Sequence, residues 1–160
     1  MIQSGFLGFS GAEASIRPDA KDRQKYNNFA TLDHRMGEKY SLTTKASVAV
    51  SHTEDRRMGI VANYVDEKNF VAFEYNPRTR RVQALEYKEG LRTVLGTKTL
   101  EHDPGGDLDL QLDRNLKKFD FYVNGEKLLS VQSEAAERNA RVGLMAPDAT
   151  VSYSGLQVRQ

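Results

Sequence analysis

The sequence predicts an all-β protein, an antiparallel β-sandwich, from three observations. Apolar residues recur at every second position in several short segments, which is the period of a half-buried strand. Turn sequences separate these segments at intervals of roughly 8 to 14 residues, as in sandwiches and related folds. No long segment of the sequence has the period of an amphipathic helix.

The length and composition fit a single domain that spans residues 1–160. A chain of this length buries roughly 70% of its unfolded surface, so it needs no disulfide to stabilise its core. The absence of cysteine excludes thiol catalysis and thiolate metal sites. The 23 basic and 22 acidic residues are dispersed and leave a net charge of +1, so we expect no nucleic-acid binding driven by a basic field.

The sequence contains neither a membrane span nor a recognisable secretion signal. No stretch approaches the ~18 apolar residues of a transmembrane helix. The opening "MIQSGFLGFSGAEAS" lacks the basic start and the continuous apolar region of a signal peptide. The chain is therefore either an intracellular protein or a domain of a longer secreted protein. We favour the second interpretation and expect an extracellular or periplasmic location.

The regular pattern begins near residue 40. The first ~38 residues carry charge without a sustained period, and we expect a loop there with one short helical turn. The next segment, "YSLTTKASVAV", predicts a strand. One side of this strand holds Tyr40, Leu42, Thr44, Ala46, Val48 and Val50.

The segment "GIVANYVDEKNFVAFEY", residues 59–75, predicts a hairpin with a four-residue loop. Pairing Val65 with Phe70 places Asn63 opposite Ala72. The core side then consists of Ile60, Ala62, Tyr64, Val71, Phe73 and Tyr75. The other side consists of Gly59, Val61, Asn63, Ala72 and Glu74, with Arg57 at the start of the strand and Ala84 and Glu86 on the strand that follows.

The remaining segments continue the alternation of strands and turns. "NPRTR" and "DPGGD" are turn sequences, and "LDLQLD" alternates almost perfectly. Asn124-Gly125 lies between two apolar segments and predicts a tight hairpin turn of the primed type. "SEAAERNA" has helical propensity but is too short to change the fold class. The chain therefore contains nine or ten predicted strands.

Several of these segments, taken in order, resemble a known group of domains. "RMGIVANYVDEKNFVAFEY", "LDLQLDRNLKKFDFYVNGEKLLSV", "ARVGLMA" and "VSYSGLQV" are similar to the concanavalin A-like jelly-roll domains attached to bacterial glycoside hydrolases. Related patterns occur in the sandwich domains of family 32 and family 43 hydrolases, in fructan-binding modules and in laminin-G-like domains. The resemblance covers about two thirds of the chain. It implies a jelly-roll fold and a carbohydrate-related role.

The sequence offers no recognisable catalytic motif, and we predict no catalytic residues. Enzymes on this fold often carry a Glu-x-Asp-x-x-Glu strand, and retaining hydrolysis needs two carboxyl groups about 5 to 5.5 Å apart. The nearest string, "EHDPGG", has Glu101 and Asp103 but ends in Gly106, and its proline and glycines predict a turn. The scattered His34, His52 and His102 show no metal-ligand spacing.

Glycan binding is the leading functional hypothesis, and the side of the hairpin that faces away from the core is its predicted site. Small residues would form a floor there, with Arg57, Asn63, Glu74 and Glu86 projecting from it. Such groups donate hydrogen bonds to sugar hydroxyls and accept them. The same composition also suits an ordinary exposed sheet face. Tyr122, which alternates away from its apolar neighbours, is the predicted exposed aromatic contact.

The sequence alone does not decide whether the protein binds a metal ion. The resemblance implies a structural calcium ion in some members of the group, and "DEKN", "PDAT" and Glu13 offer oxygen ligands without a dedicated spacing.

The predicted function is a non-catalytic carbohydrate-binding or accessory module for an oligo- or polysaccharide, accompanied by a catalytic domain of a larger chain. The alternatives are a glycoside hydrolase or polysaccharide lyase on the same fold, and a structural domain that packs on a catalytic partner.

Overall fold

The computed structural model describes residues 6–10, 13–17, 29–51, 57–134, 140–146 and 149–159. These residues form two antiparallel sheets that pack face to face around one main core. Among the described residues, no helix is long and apolar enough to cross a membrane.

The larger sheet has seven strands. In spatial order they are β1 (Phe6–Ser10), β2 (Glu13–Arg17), β13 (Ala149–Arg159), β4 (Lys39–Ser51), β9 (Leu108–Asn115), β10 (Lys118–Val123) and β11 (Glu126–Gln132). The smaller sheet has six. In spatial order they are β3 (Phe29–Arg35), β12 (Arg141–Met145), β5 (Met58–Asp66), β6 (Asn69–Asn76), β7 (Arg81–Lys88) and β8 (Leu91–Thr99).

The predicted fold class is confirmed, and every strand predicted from residue 40 onward is present. The prediction for the first ~38 residues is wrong in part, because β1, β2 and β3 lie there. β2 and β3 pair with β13 and β12 from the far end of the chain, as in Ile16 with Val151 and Ala30 with Leu144, and β1 pairs with β2. β1 and β2 have only five residues each, which is too short to show a clear period. Strand pairing rather than a local sequence pattern defines them. The helical propensity of "SEAAERNA" falls mostly outside the described residues.

In the seven-stranded sheet, buried and more exposed side chains alternate along β4, β9 and β10. On β4, Tyr40, Leu42, Thr44 and Ala46 are buried as predicted, whereas the side chains of Val48 and Val50 lie outside the described residues. On β9 and β10, buried positions include Leu110, Leu112, Phe119 and Phe121. The Asn124-Gly125 turn has φ angles of 51° and 81°, which confirms the predicted primed type.

Aromatic contacts join the two sheets. Phe73 of β6 lies 5.6 Å, centroid to centroid, from both Phe119 and Phe121 of β10. The hydroxyl of Tyr153, on β13, accepts from the Gly59 amide at 3.0 Å and donates to the Met145 carbonyl at 2.5 Å. Because this buried hydroxyl has partners on both β5 and β12, it fixes one sheet over the other.

Candidate functional site

The outer face of the six-stranded sheet, which points away from the main core, carries an unusual set of residues. Along β6, Val71, Phe73 and Tyr75 belong to the main core, so Glu74 between them points outward as predicted. The other outward-pointing residues of this face do not form a surface open to solvent, since Val61, Ala72 and Leu85 are completely buried. The predicted floor of small residues is therefore closed to solvent at these positions.

Glu74 is a buried carboxylate held by one described ion pair. Its side chain is 4% exposed, and Oε2 lies 3.7 Å from Nη1 of Arg57, whose side chain is 25% exposed. A buried charge is costly unless it is paired, so this contact is what allows an acidic residue in the sheet. The structure thus brings together two of the predicted ligand-binding residues.

A pocket of about 260 Å³ opens beside this ion pair. It is lined by Arg57, Arg78, Arg81 and Arg92, by Glu74, and by the uncharged polar residues Asn76, Thr79 and Gln83. We call it the arginine pocket. Strand register explains its composition, because Gln83 lies opposite Glu74 and Arg81 lies opposite Asn76 on the outer face.

Sequence reasoning missed Arg78, Arg81, Gln83 and Arg92. A signal was present, since "NPRTRR" places three arginines in and after a turn between two strands. Only the structure distinguishes among them. Arg80 turns the other way and donates to the carbonyl of Glu101, whereas Arg78 and Arg81 line the arginine pocket.

The predicted outward position of Asn63 is wrong. The chain bulges between Ala62 and Asp66, and Asn63 has a φ of 50°. Its side chain points inward, where Oδ1 accepts from Nη1 of Arg114 at 2.8 Å. Because an arginine only donates, this bond fixes the amide orientation and leaves the buried amide nitrogen without a hydrogen-bond partner among the described residues.

The bulge also changes the register and face of its neighbours. Val61 pairs with Ala72, and Gly59 pairs with Glu74, which is a two-residue shift from the predicted pairing. Tyr64, predicted to lie in the main core, packs instead in a second cluster on the outer face with Val61, Phe70, Ala72 and Met145.

An aromatic pair lies beside the arginine pocket. Tyr87 stacks on Phe70 with ring centroids 4.6 Å apart and packs on the second cluster. Burial raises the pKa of the Tyr87 hydroxyl, Glu74 adds to the rise, and Arg92 and Arg57 oppose it. The half-buried ring lies directly across from Arg92, which lines the arginine pocket.

Glu86 lies on the opposite side of the sheet from its predicted position. It pairs with Val71, a main-core residue, and Ala84 pairs with the core residue Phe73. The hydroxyl of Ser133 donates to Oε2 of Glu86 at 2.5 Å. Glu86 therefore contacts the end of β11 between the sheets, because β7 alternates in step with β6.

Tyr122 points outward as predicted, but from the other sheet. It lies between the buried Phe121 and Val123 and pairs with Gln111 and Lys127. The outer faces of the two sheets are on opposite sides of the sandwich. Tyr122 and the arginine pocket therefore belong to different surfaces.

Glu101 and Asp103 lie in an exposed loop, as predicted. Asp103 accepts from the Tyr75 hydroxyl at 2.8 Å and from the Gly105 amide at 3.2 Å. These contacts give Asp103 a role in holding the loop. His102 is exposed, and the side chains of His34 and His52 lie outside the described residues.

One of the candidate calcium ligands is engaged in a hairpin turn. Asp66 of "DEKN" accepts from the Lys68 amide at 2.8 Å and from the Asn69 side chain at 2.9 Å, and these bonds lower the pKa of its carboxyl. That carboxylate therefore stabilises the hairpin turn. The side chain of Glu13 and part of "PDAT" lie outside the described residues. Where side chains are described, no three acidic or histidine residues form a metal-binding group.

Comparisons with known proteins show the fold. No family model and no curated protein matches the chain. Among solved structures, the chain is similar to the carbohydrate-binding module CBM66 from Bacillus subtilis, with a TM-score of 0.69 and 12% identity over 98% of this chain and 92% of that one. Sheep galectin-11, in complex with glycerol, gives a TM-score of 0.64 and 11% identity over 82% of this chain and 96% of that one.

A third similarity is to part of a larger enzyme. The β-fructofuranosidase of Aspergillus kawachii gives a TM-score of 0.66 and 12% identity over 97% of this chain but 27% of that one. Together with the two antiparallel sheets, these similarities identify the fold as a concanavalin A-like jelly roll.

Proposed function

We propose that this protein is a non-catalytic carbohydrate-binding or accessory module that binds a glycan at the arginine pocket. The observation that carries the proposal is the buried carboxylate of Glu74, held by Arg57 at a polar pocket on the sheet face. A carboxylate accepts hydrogen bonds from sugar hydroxyls, and arginine, asparagine and glutamine side chains donate to them. The arginine pocket offers all of these groups at one place.

The ion pair gives the pocket a fixed arrangement before any ligand binds. Glu74 is held by the sheet on both sides, through the pairing with Gly59 and with Gln83. An acceptor that is already ordered loses little conformational entropy when a ligand arrives, so more of its interaction energy contributes to affinity. The Tyr87 ring beside the pocket adds an apolar surface on which a sugar ring can stack.

The size of the pocket sets the expected affinity. A volume of about 260 Å³ fits roughly one or two sugar units rather than a long chain. Each net hydrogen bond contributes about 0.5 to 1.5 kcal/mol, so a handful predicts dissociation constants between roughly millimolar and micromolar. The similarity of the fold to a carbohydrate-binding module and to a galectin supports the same class of ligand.

The chemistry of the described carboxylates supports binding rather than hydrolysis. Asp103 is engaged by the Tyr75 hydroxyl and the Gly105 amide, and Glu74 is paired with Arg57. A general acid must deliver a proton and a nucleophile needs access to the sugar carbon, whereas Asp103 is engaged in holding its loop and Glu74 in an ion pair with Arg57. We therefore propose that no bond of the glycan is broken.

The test is glycan binding by Glu74→Ala, measured on a glycan panel and then by calorimetry with the best ligand. We expect at least a roughly tenfold loss of affinity, because the variant removes the central acceptor and releases Arg57. Asp113→Ala is the matched control, since it removes a carboxylate from the outer face of the other sheet. Unchanged affinity in Glu74→Ala would exclude this pocket.

A second variant distinguishes a loss of binding from a loss of folding. Gln83→Ala leaves the ion pair intact and removes one polar group of the arginine pocket, and we expect a smaller loss of about threefold. Tyr122→Ala completes the set. If only that variant weakens binding, the ligand lies on the seven-stranded sheet and the proposed site is wrong.

Two parts of the proposal concern the surroundings of the domain. We propose that it works within a longer secreted protein, next to a catalytic domain, and that calcium has a structural role. Repeating the binding and thermal unfolding measurements with calcium and with a chelator tests the second part. An unchanged melting temperature and an unchanged affinity would exclude calcium as a stabilising ligand.

A further inference from the structure

We infer that the glycan recognised at the arginine pocket is acidic, carrying a carboxylate or a sulfate group. This inference deepens the proposed function and rests on it. The described lining of the pocket contains four guanidinium groups and one carboxylate. Glu74 neutralises Arg57, so the remaining lining groups still carry a large excess of positive charge.

The excess of positive charge is local to this pocket and is not a property of the whole chain. The protein has nearly equal numbers of basic and acidic residues and a net charge of +1. Four of its 23 basic residues nevertheless line this one small pocket. A neutral sugar needs no such field, and concentrated like charge destabilises a fold unless a counter-charge is present.

Strand register places two of these arginines on the same outer face. Arg81 lies opposite Asn76 on β6, and Arg92 lies opposite Tyr87 on β7. Both residues are exposed, and they approach the pocket from different strands. Each can donate charge-assisted hydrogen bonds to an anionic group, and together they place positive charge on two sides of the pocket.

The aromatic pair suits the rest of such a ligand. Tyr87 is directly across from Arg92 and stacks on Phe70. A sugar ring on Tyr87 would bring its acidic substituent to the guanidinium of Arg92, while hydroxyls reach the Glu74 end of the pocket. The carboxylate of Glu74 disfavours an anion next to it by repulsion, so the acidic group is expected at the guanidinium of Arg92, while Arg81 adds positive charge on the other side of Glu74.

The experiment compares matched acidic and neutral oligosaccharides by calorimetry. One pair is an oligogalacturonate and its methyl ester, which differ in the carboxylate. The other pair is a sulfated carrageenan oligosaccharide and its desulfated form. We expect the acidic member of at least one pair to bind about tenfold more tightly at low salt, with the advantage shrinking at about 500 mM salt.

Arginine variants locate the effect. Arg81→Gln and Arg92→Gln should each weaken binding of the acidic member by about fivefold and leave its neutral partner nearly unchanged. Arg159→Gln is the matched control, because it removes an exposed guanidinium from β13 in the other sheet. An equal loss in the control would show attraction to the general surface and overturn the inference.

The outcomes separate the inference from the proposed function. If a neutral oligosaccharide binds as tightly as its acidic partner and Glu74→Ala abolishes that binding, the glycan site stands and the acidic ligand is wrong. If neither acidic nor neutral members of a full panel bind, both the proposed glycan binding and the inferred acidic ligand are wrong. Preference for one pair alone identifies carboxylate or sulfate as the group recognised.

Discussion

The outer faces of the two sheets differ more than their similar strand patterns suggest. On the seven-stranded sheet, outward positions of β9 and β10 are occupied by polar residues that contact one another, such as Asp113 with Ser41 at 2.7 Å. On the six-stranded sheet, the outward positions include a buried carboxylate, fully buried Leu85 and a stacked aromatic pair. The first face is a solvated surface, whereas the second carries buried and closely packed side chains.

Backbone irregularities account for part of this difference. β5 bulges at Asn63, and β8 bulges where Ala84 pairs with Gly96 but Leu85 pairs with Val94. Each bulge moves a residue to the other side of its strand. The pairing of β9 with β10 has no such shift, and buried and more exposed positions alternate there, although the pairings of β10 with β11 and of β13 with β4 in the same sheet do shift.

The largest expected effect concerns Gly59, at the close contact of β5 and β6. A Cβ at this position would lie 1.9 Å from the Phe73 carbonyl oxygen, and backbone cannot move aside as a side chain can. We expect Gly59→Ala to lose roughly 4 kcal/mol or more of unfolding free energy, or to fail to fold. Urea denaturation measures the loss.

Gly96→Ala is the matched control for that prediction. Its added Cβ would meet a methyl carbon of Val131 at 3.0 Å, which a small rotation relieves. We expect a loss below about 2 kcal/mol. Similar losses in the two variants would mean that the close approach at Gly59 is not special.

The next effect tests whether the outward side of β7 is part of a packed region. Leu85 is completely buried although it faces away from the main core. We expect Leu85→Ala to cost about 3 kcal/mol, as for a core leucine. A loss below about 1 kcal/mol in urea denaturation would show that this face is open in solution.

The bulge at Asn63 has a smaller expected effect, and two variants separate its causes. Asn63→Gly keeps the positive φ but removes the acceptor for Arg114, at a cost of about 2 kcal/mol. Asn63→Ala should cost about 1 kcal/mol more, because alanine adds backbone strain. If the alanine variant is the more stable of the two, the backbone at residue 63 is not held in this conformation.

The smallest effect is expected on the seven-stranded sheet. Asp113 accepts from Ser41 and Gln111, but it is only half-buried and water can replace these bonds. We expect Asp113→Ala to change the unfolding free energy by about 0.5 kcal/mol. A loss close to that of Leu85→Ala would remove the contrast between the two faces.

Much of the fold could be predicted from the sequence, because strand period and turn chemistry are local. The alternation of Tyr40, Leu42 and Ala46, and the Asn124-Gly125 turn, need no knowledge of distant residues. Glu74 was placed on the correct side for the same reason, since β6 is regular from Phe70 to Tyr75. Arg57 was placed with it because β5 is regular before the bulge.

The errors have two physical causes, contact with distant parts of the chain and the register between neighbouring strands. Asn63 takes a positive φ and turns inward to Arg114, 51 positions away, and the parity of Tyr64 changes with it. Glu86 follows the regular alternation of β7, so its error came from continuing one face across strands without the true register.

The sequence by itself determined an antiparallel sandwich, its turns and the outward side of β6, because these depend on residues close together in the chain. Only the tertiary structure decided which of the arginines near the β6–β7 turn line a pocket and that Glu74 is buried. It also decided that β1, β2 and β3 are strands. Burial and strand register arise from pairing between distant segments, which a period of two does not encode.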